Sequence, residues 1–399
     1  MADIYGVPFD ALNDQSIIAR VFEKAVPKGG ATLLGMQLKK FEPHGVTALA
    51  LLSESHVSIH TYPEQGSAFL DVFTCGDCDP EIIMQEIATQ LGAEVNDTTL
   101  VGRGDDKSVV ANVTDKVTED IAPGIDRSWE IEEVRAHART QFQDVLIGRT
   151  AQGLSLFCEN ERQSTELSQL IYHEGQIIPA ALMAKNVDRV LVIGSSEGVI
   201  SQIAVDLGAQ KVVHVDIDEA CVRLCAEFLP YGYTTDDVER GLAASGPVEL
   251  LFEDAFAYID QCVETNSKFD VIVMDLPDEQ IGDAQQNRLY QEAFLKKIGT
   301  LLTSEGAFIT QAGSTTYWRN ETLVRTLRRM DNVFSSTAFF EMEEQDWAWV
   351  VGTNFNCTDV TARMSERLPK LSYTPQFIDA ASIQKATIIP ASIRKTLGK

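Results

Sequence analysis

Two rhythms of hydrophobic and polar positions divide the chain. Over roughly the first hundred residues, runs of strand formers are interrupted by two segments with apolar residues at helical spacing. One helix is predicted from its N-cap Ser16 to about Val26, and another from Asp79-Pro80 to Gly92. Four strands are predicted between them and a last one near residues 98–101. This order is typical of a small α+β two-layer sandwich.

The second rhythm alternates short, fully apolar runs with helical segments. The runs cover residues 188–193, 211–215, 248–252, 269–274 and 306–310. The pattern predicts an α/β fold with a Rossmann-like, doubly wound and mainly parallel sheet, in which ligands bind beyond the carboxyl ends of the strands. Carboxylates follow four of these runs, and they are Glu197, Asp216, Asp254 and the pair Asp275 and Asp278.

A polar stretch separates the two patterns. Residues 102–127 carry Pro123-Gly124 and show little periodicity, which is typical of a linker. We therefore predict a first domain at residues 1–104, a linker at 105–128 and a second domain at 129–399.

Charge, hydropathy and cysteine content limit the partners and the cellular location that we expect. The formal net charge of −26 disfavours nucleic acid as a partner and suits cationic small molecules. No apolar run is long enough to cross a bilayer, and Met1 leads straight into sequence that looks folded, so we expect a cytoplasmic protein without a membrane partner. Seven scattered cysteines fit a reducing compartment.

A metal site is a weaker interpretation of the same residues. Cys75 and Cys78 form a C-x-x-C pair, but the chain offers no second pair to complete a zinc site. His56 and His60 share a strand face that Cys75 could join, yet no acidic residues are evident to orient them. We expect no metal.

The densest cluster of reactive side chains lies between residues 54 and 75. Alternation in a strand puts Glu54, His56 and His60 on one face and Ser55 on the other. Chemistry that joins Ser55 to His60 therefore requires a bend, a bulge or a route around the strand end.

Residues 2–104 resemble the prokaryotic S-adenosylmethionine decarboxylases. The resemblance is carried by Glu54-Ser55-His56, His60, Thr61, Pro63-Glu64, Asp71, Thr74, Cys75 and Gly76. It implies self-cleavage between Glu54 and Ser55, which converts the serine into a pyruvoyl cofactor. A pyruvoyl carbonyl forms a Schiff base with the substrate amine and acts as the electron sink for decarboxylation.

The same resemblance assigns further roles. His60 and Thr47 assist processing, and the thiol of Cys75 protonates the carbon left after carbon dioxide departs. Phe41 and Tyr62 stack on the adenine, with Tyr62 standing where tryptophan is common. The family generally builds its site across a homodimer. Some relatives of this fold decarboxylate ornithine or arginine, so that alternative stays open.

Residues from about 129 to the end resemble the spermidine synthases. The motifs are Gln143-Asp144, Gln163 to Glu166, Tyr172-His173-Glu174, Val192-Ile193-Gly194, Asp216-Ile217-Asp218, Glu253-Asp254-Ala255, Asp275 to Asp278, Leu289-Tyr290, Thr310-Gln311-Ala312 and Trp347-Ala348-Trp349. This family transfers an aminopropyl group from decarboxylated S-adenosylmethionine to an amine, usually putrescine.

The resemblance implies a substrate site with distinct parts. Asp275 is the implied general base, Asp216 binds the ribose and Asp254 the adenine. The residues implied to position the amines are Asp278, Glu197, Tyr172 and Gln311, and the substrate-binding set also includes Gln143 and His173.

This chain departs from the family pattern beside the amine pocket. The family's G-G-G-D-G is Gly194-Ser195-Ser196-Glu197-Gly198, and Glu279 stands where proline normally closes the catalytic motif. The resulting prediction is a bifunctional polyamine enzyme whose first half makes the donor that the second half consumes. An alternative is a second half that binds ligand without turnover and regulates the decarboxylase.

Overall fold

In the computed structural model the chain forms two compact units, Met1–Asn112 and Val113–Lys399. The residues that the structure describes are 1–53, 55–74, 78–98, 116–277, 279 and 285–399. Glu54, Cys75 and Asp278, which carry predicted roles, lie outside these ranges.

The first unit is a six-stranded antiparallel sheet covered on one face by helices. Its strands are Ala2–Tyr5 (β1), Leu33–Lys40 (β2), Val46–Leu52 (β3), Ser55–Tyr62 (β4), Ser67–Phe73 (β5) and Val95–Thr98 (β6), and its helices are Phe9–Asn13 (α1), Gln15–Lys28 (α2) and Pro80–Leu91 (α3). The strand order is β2-β3-β4-β5-β1-β6. The predicted two-layer α+β sandwich is confirmed.

The apolar alternation along these strands fills the layer between sheet and helices. Val57 and Ile59 of β4 join Ile18 and Phe22 of α2 and Ile83 of α3 in one buried cluster. Each residue that points into this layer alternates with one on the open face, so the sheet has one covered side.

Local details of the first unit differ from the prediction. Asp14 caps α2 by accepting from the backbone N of Ser16 at 2.7 Å. The N-cap is therefore Asp14 and not the predicted Ser16, and the helix begins at Gln15. The last strand is β6, Val95–Thr98, and it pairs with β1, a short strand that the sequence pattern did not indicate. Asp79 and Gly92 bound α3 as predicted.

The second unit contains a seven-stranded sheet, a four-stranded sheet and a hairpin. Its strands are Lys116–Ala122 (β7), Ile125–Glu130 (β8), Glu133–Arg139 (β9), Asp144–Thr150 (β10), Gly153–Cys158 (β11), Glu161–Thr165 (β12), Arg189–Gly194 (β13), Lys211–Asp216 (β14), Val248–Phe252 (β15), Phe269–Asp275 (β16), Leu302–Gln311 (β17), Ser336–Met342 (β18) and Trp347–Thr353 (β19).

Helices pack on both faces of the large sheet. They are Gln169–Met183 (α4), Val199–Asp206 (α5), Glu219–Phe228 (α6), Thr235–Leu242 (α7), Ala255–Glu264 (α8), Glu292–Leu301 (α9), Glu321–Val333 (α10), Val360–Arg367 (α11), Ala380–Ala386 (α12) and Ala391–Leu397 (α13). Residues of α4, α5, α11 and α12 build one apolar cluster, and residues of α8, α9, α10 and α13 build a second.

The strand order of the large sheet positions a ligand site. It runs β15-β14-β13-β16-β17-β19-β18, with parallel pairs from β15 to β17. The predicted doubly wound, mainly parallel sheet is confirmed. The chain builds outward from β13 through β14 and β15, then returns to add β16 on the other side. The carboxyl ends of β13 and β16 therefore flank the switch point where ligands bind in such sheets.

The predicted linker at 105–128 differs from the structure in its second part. Residues from Lys116 onward pair as the antiparallel hairpin β7–β8, with Pro123-Gly124 at its turn and a φ of +78° at Gly124. Val117 and Trp129 of this hairpin pack against Leu146 and Phe157 of the four-stranded sheet. The second unit thus includes residues that the sequence pattern placed in the linker.

Candidate active site

Strand β4 carries the reactive residues of the first unit. Val57, Ile59 and Thr61 face the buried layer, so His56 and His60 lie on the open face and Ser55 has the orientation of the buried positions. The predicted separation of Ser55 from His60 on opposite faces is confirmed. At about 3.4 Å per residue, their Cα atoms are also about 17 Å apart along the strand. Within one copy of the chain these two residues do not meet.

His60 has a partner on the neighbouring strand. Thr47 pairs with His60 across β3 and β4, and the Thr47 Oγ1 lies 2.9 Å from the His60 Nδ1. The structure therefore brings together the two residues predicted to assist processing. His56 faces Asp71 on β5, with 3.9 Å between Nε2 and Oδ2.

The two aromatic residues predicted for adenine are both available to a ligand. Phe41 is 47% exposed and Tyr62 is 40% exposed. The Tyr62 ring meets Phe69 edge-on, with 5.4 Å between ring centroids. Tyr62 lies on the open face of the sheet, the same face as His60.

The second unit contains a cavity of about 690 Å³ at the carboxyl ends of its parallel strands. All the described residues that the sequence predicted for a transferase site line this cavity. They are Gln143, Tyr172, His173, Glu197, Asp216, Asp254, Asp275 and Gln311.

Asp275 ends β16 and is paired with Tyr172 of α4. The Tyr172 hydroxyl donates to the Asp275 Oδ1 at 2.7 Å. Burial raises the pKa of Asp275 to about 7; the hydroxyl of Tyr172 opposes this rise, and the nearby charge of Glu197 adds to it. Burial likewise raises the pKa of Tyr172 well above its usual range, so the tyrosine stays a donor. A carboxyl group with a pKa near neutrality is suited to general base chemistry.

The loop after β13 carries Glu197 into the cavity. Its turn needs a left-handed backbone at Gly194, where φ is +75° and a Cβ atom would lie 2.2 Å from the carbonyl oxygen of Asp275. Ser195 also adopts a positive φ of +70°, so the serine replacement keeps the turn at a conformational cost. Glu197 is buried and accepts from the Ser164 Oγ at 2.6 Å.

Asp216 ends β14 next to this loop. Its carboxylate accepts from the Ser196 Oγ at 2.9 Å and from the backbone N of Asp218 at 2.8 Å. Burial raises the pKa of Asp216 to about 7, although these hydrogen bonds oppose the rise. Gln143 supports the same corner by donating to the Asp218 Oδ2 at 3.1 Å. Ser196, one of the residues by which this loop differs from the family pattern, thus holds Asp216 in place.

Asp254 follows β15 and caps helix α8. Its Oδ1 accepts from the backbone N of Phe256 at 2.9 Å, and its Oδ2 pairs with Arg288. The guanidinium of Arg288 also lies over the Phe256 ring, 4.9 Å from its centroid. Arg288 was not predicted as a site residue, because it lies on a short 3₁₀ segment far along the chain.

The side chains of Gln311 and His173 form hydrogen bonds with other residues of the chain. The Gln311 Nε2 donates to the carbonyl of Leu276 at 3.1 Å, and its Oε1 accepts from the backbone N of Gly313 at 3.0 Å. Gln311 therefore braces the segment that follows Asp275. The His173 Nδ1 lies 3.0 Å from the Gln169 Oε1, and burial lowers the pKa of His173.

Glu279, a departure from the family pattern, makes its contacts with helix α10. Its carboxylate binds Arg329 with distances of 2.8 and 3.1 Å to the two guanidinium nitrogens, and Arg325 lies 3.3 Å away. These ion pairs lower the pKa of Glu279 against the effect of partial burial. The side chain thus anchors the loop to α10.

The hairpin β7–β8 contributes cavity residues that the sequence analysis missed. Glu119, Asp120 and Arg127 line the cavity, and so does Arg162 of β12. The signal was present in the alternation around Val117 and in the Pro-Gly turn, which favours a hairpin as well as a linker.

The described residues contain neither a cluster suited to a metal ion nor a helix suited to a membrane. Within the described ranges, no group of three or more histidine, cysteine, aspartate or glutamate side chains could hold a metal ion. None of the helices in the described part of the chain is long and apolar enough to cross a membrane.

Comparison with known proteins identifies two families. Residues 1–104 match the S-adenosylmethionine decarboxylase family, and residues 169–342 match the spermine/spermidine synthase domain. An S-adenosylmethionine decarboxylase proenzyme of Geobacillus sp. is 42% identical over 104 residues, which are 26% of this chain and 84% of that protein. A polyamine aminopropyltransferase of Synechococcus sp. is 27% identical over 283 residues, which are 67% of this chain and 88% of that protein.

Solved structures support the fold of the second unit. A spermidine synthase in complex with the transition state analogue AdoDATO aligns with a TM-score of 0.61 at 17% identity, covering 71% of this chain and 94% of that one. The spermidine synthase of Thermotoga maritima aligns with a TM-score of 0.59 at 16% identity, with the same coverage.

Proposed function

The chain belongs to the S-adenosylmethionine decarboxylase family through residues 1–104 and carries a spermine/spermidine synthase domain at residues 169–342, and we propose that it catalyses two successive steps of polyamine biosynthesis. The first unit decarboxylates S-adenosylmethionine. The second transfers the aminopropyl group of the product to putrescine or a similar amine, giving spermidine and methylthioadenosine. The observation that carries the transferase step is the hydrogen-bonded pair of Tyr172 and Asp275 among the carboxylates of one cavity.

In the first unit, Ser55 is the proposed source of a pyruvoyl group. Ser55 is the first residue of β4, so cleavage before it leaves Ser55–Tyr62 paired in register with both neighbouring strands. The position therefore fits a group formed by chain cleavage. A pyruvoyl carbonyl supplies the electron sink that removal of carbon dioxide requires. Thr47 and His60 hold a hydrogen-bonding pair for processing, and Cys75 supplies the proton to carbon.

We further propose that the decarboxylase site is shared by two copies of the chain. Ser55 and His60 lie about 17 Å apart along one extended strand, and on opposite faces of it. A second copy can supply His60 and Thr47 to the Ser55 of the first copy. This arrangement makes the homodimer a requirement of the chemistry.

In the second unit, the proposed reaction is a nucleophilic substitution at carbon. The amine must lose a proton to attack, and Asp275 accepts that proton. The nitrogen forms a bond to the methylene carbon next to the sulfonium, the carbon–sulfur bond breaks, and its electron pair stays on sulfur. Because the donor is a sulfonium cation, the carboxylates of Asp275 and of buried Glu197 also favour its binding electrostatically.

The adenosine part of the donor lies against the other carboxylates. Asp216 is held rigidly by Ser196 and by the backbone of Asp218, which suits it to accept hydrogen bonds from ribose hydroxyls. Asp254 and Gln143 complete this end of the cavity. Glu197 keeps a carboxylate in the cavity although the family pattern has the shorter aspartate, which supports turnover over a purely regulatory role.

The test is a paired assay with purified protein. S-adenosylmethionine labelled at its carboxyl carbon and putrescine should yield labelled carbon dioxide, spermidine and methylthioadenosine. Parallel reactions with labelled ornithine and arginine test the alternative first substrates. Carbon dioxide without methylthioadenosine favours the regulatory alternative, and self-cleaved protein that forms neither product contradicts the proposal.

A further inference from the structure

Arg162 of β12 brings a guanidinium to a cavity dominated by carboxylates. It lines the same cavity as Tyr172 and Asp275. Tyr172 and Asp275 form the hydrogen-bonded pair that is proposed to deprotonate the acceptor amine, so the cation shares one cavity with the proposed base. This position is opposite in charge to what a site for a simple diamine requires, because a diamine carries two ammonium groups.

The Nε of Arg162 is buried and has no hydrogen-bond partner among the described residues. The Trp129 ring lies beside the guanidinium, with 5.6 Å between its centroid and the Arg162 Cζ. Burial lowers the pKa of Arg162, and the charge of Glu119 opposes this effect. A buried N–H group without a partner is costly unless a ligand provides an acceptor.

The nearest carboxylate of the protein is already occupied. Glu119 accepts from the Trp129 Nε1 at 2.5 Å and from the backbone N of Arg162 at 2.7 Å. Arg127 lies 3.8 Å from the same carboxylate. Glu119 therefore fixes the backbone of Arg162, and both of its carboxylate oxygens already accept hydrogen bonds.

We propose that Arg162 binds a carboxylate on the acceptor, so that the preferred acceptor is a short diamino acid. This inference rests on the proposed transferase function and specifies its substrate class. The decarboxylated donor has lost its carboxylate, so the anion must belong to the acceptor. An arginine fork binds a carboxylate with two parallel hydrogen bonds, which gives orientation as well as affinity.

The reaction balances without a further reactant. The side-chain amine of the diamino acid attacks the methylene carbon next to sulfur and forms the nitrogen–carbon bond. The carbon–sulfur bond breaks, and its electrons remain on the sulfur of methylthioadenosine. Asp275 takes the proton from nitrogen, and the carboxylate paired with Arg162 is unchanged.

The test compares two acceptor classes with the full-length protein and supplied decarboxylated S-adenosylmethionine. Release of methylthioadenosine gives kcat/KM for 2,4-diaminobutyrate and ornithine and for 1,3-diaminopropane and putrescine. Wild-type protein is expected to prefer the diamino acids, and Arg162→Met to reduce that preference about 30-fold or more. Arg162→Lys keeps the charge and should retain part of it. Arg135→Met is the matched control, because Arg135 is exposed on β9, pairs with Glu133 and is not part of the cavity lining, and it should leave the ratio unchanged.

The outcomes separate this inference from the proposed function. A wild-type preference for diamines that Arg162→Met leaves unchanged overturns the role of Arg162. If no amine releases methylthioadenosine, the proposed function fails, and calorimetric affinities for ornithine and putrescine in wild-type and Arg162→Met protein still decide the inference. Product mass from a parallel reaction supplied with S-adenosylmethionine instead is the third readout. A product that gains a carboxylate from that donor assigns the anion to the donor and overturns the acceptor assignment.

Discussion

Ser55 is the proposed source of the pyruvoyl group, and a single substitution can test this role. Ser55→Ala is expected to abolish self-cleavage, because the side chain that becomes the pyruvoyl group is gone, and one full-length band should remain on a denaturing gel. Cys75→Ala should still cleave and then decarboxylate poorly. Ser58→Ala on the open face of the same strand is the matched control, and it should cleave normally. Cleavage in the Ser55→Ala variant would refute the assignment.

Asp275 should control the pH dependence of transfer. Asp275→Asn is expected to reduce transfer by about 10²–10⁴-fold, the usual cost of losing a positioned base, without reducing decarboxylation. In wild-type protein, the transfer rate should rise with pH through about 7, because the base must be deprotonated.

Tyr172→Phe provides the companion measurement. The Tyr172 hydroxyl stabilises the charged form of Asp275 and so lowers its pKa. Its removal should move the midpoint of the pH–rate profile upward. A downward or absent shift would show that another group is the base.

At the scale of residues, the sequence predicted the carboxylates better than their surroundings. Asp216 and Asp275 follow apolar strands, and a parallel sheet brings such strand ends together by geometry alone. Arg162 gave no such signal, since its importance depends on Glu119 being occupied by Trp129. Contacts between distant side chains are not readable from spacing.

Among the elements, the hairpin β7–β8 was not predicted from the sequence, which indicated a linker there. Its alternation includes buried Glu119 at a position where a strand is expected to be apolar. The hydrogen bonds from Trp129 and Arg162 permit this burial, and they depend on tertiary structure. The helix α3, in contrast, was predicted correctly, because its Asp-Pro start and Gly end are local signals.

The segment after α11 depends on one buried side chain of α4. Glu174 accepts from the Tyr373 hydroxyl at 2.7 Å and from the backbone N of Gln376 and Phe377 at 2.7 and 2.8 Å. Glu174→Ala is expected to lower the free energy of unfolding by about 1.5–3 kcal/mol, because three part-buried donors lose a charged acceptor.

Chemical denaturation of the second unit measures this effect. Glu227→Ala, at an exposed position of α6, is the control and should change stability by less than about 0.5 kcal/mol. A loss at Glu174 no larger than at the control would mean that the segment is held by its apolar contacts instead.

For the whole molecule, the proposed sharing of the decarboxylase site between two copies leads to a complementation experiment. Ser55→Ala and His60→Ala proteins should each fail to cleave alone. In a mixed dimer, the His60→Ala chain supplies Ser55 and the Ser55→Ala chain supplies His60, so one complete site forms. Only the His60→Ala chain should then cleave, which tags of different mass on the two chains can show. Mixed dimers in which neither chain cleaves, beside wild-type dimers that do, would contradict the shared site.

The two partly protonated aspartates give the transferase cavity a further property. With pKa values of about 7, Asp216 and Asp275 together hold on average about one proton near neutrality. A sulfonium ion that enters beside Asp275 and ribose hydroxyls that donate to Asp216 both favour the charged carboxylates, so donor binding is expected to release this proton to solvent. Donor binding is then an ion exchange in which one positive charge replaces another. The empty cavity avoids the repulsion between bare carboxylates, and it gains its full negative charge only when the donor is there to neutralise it.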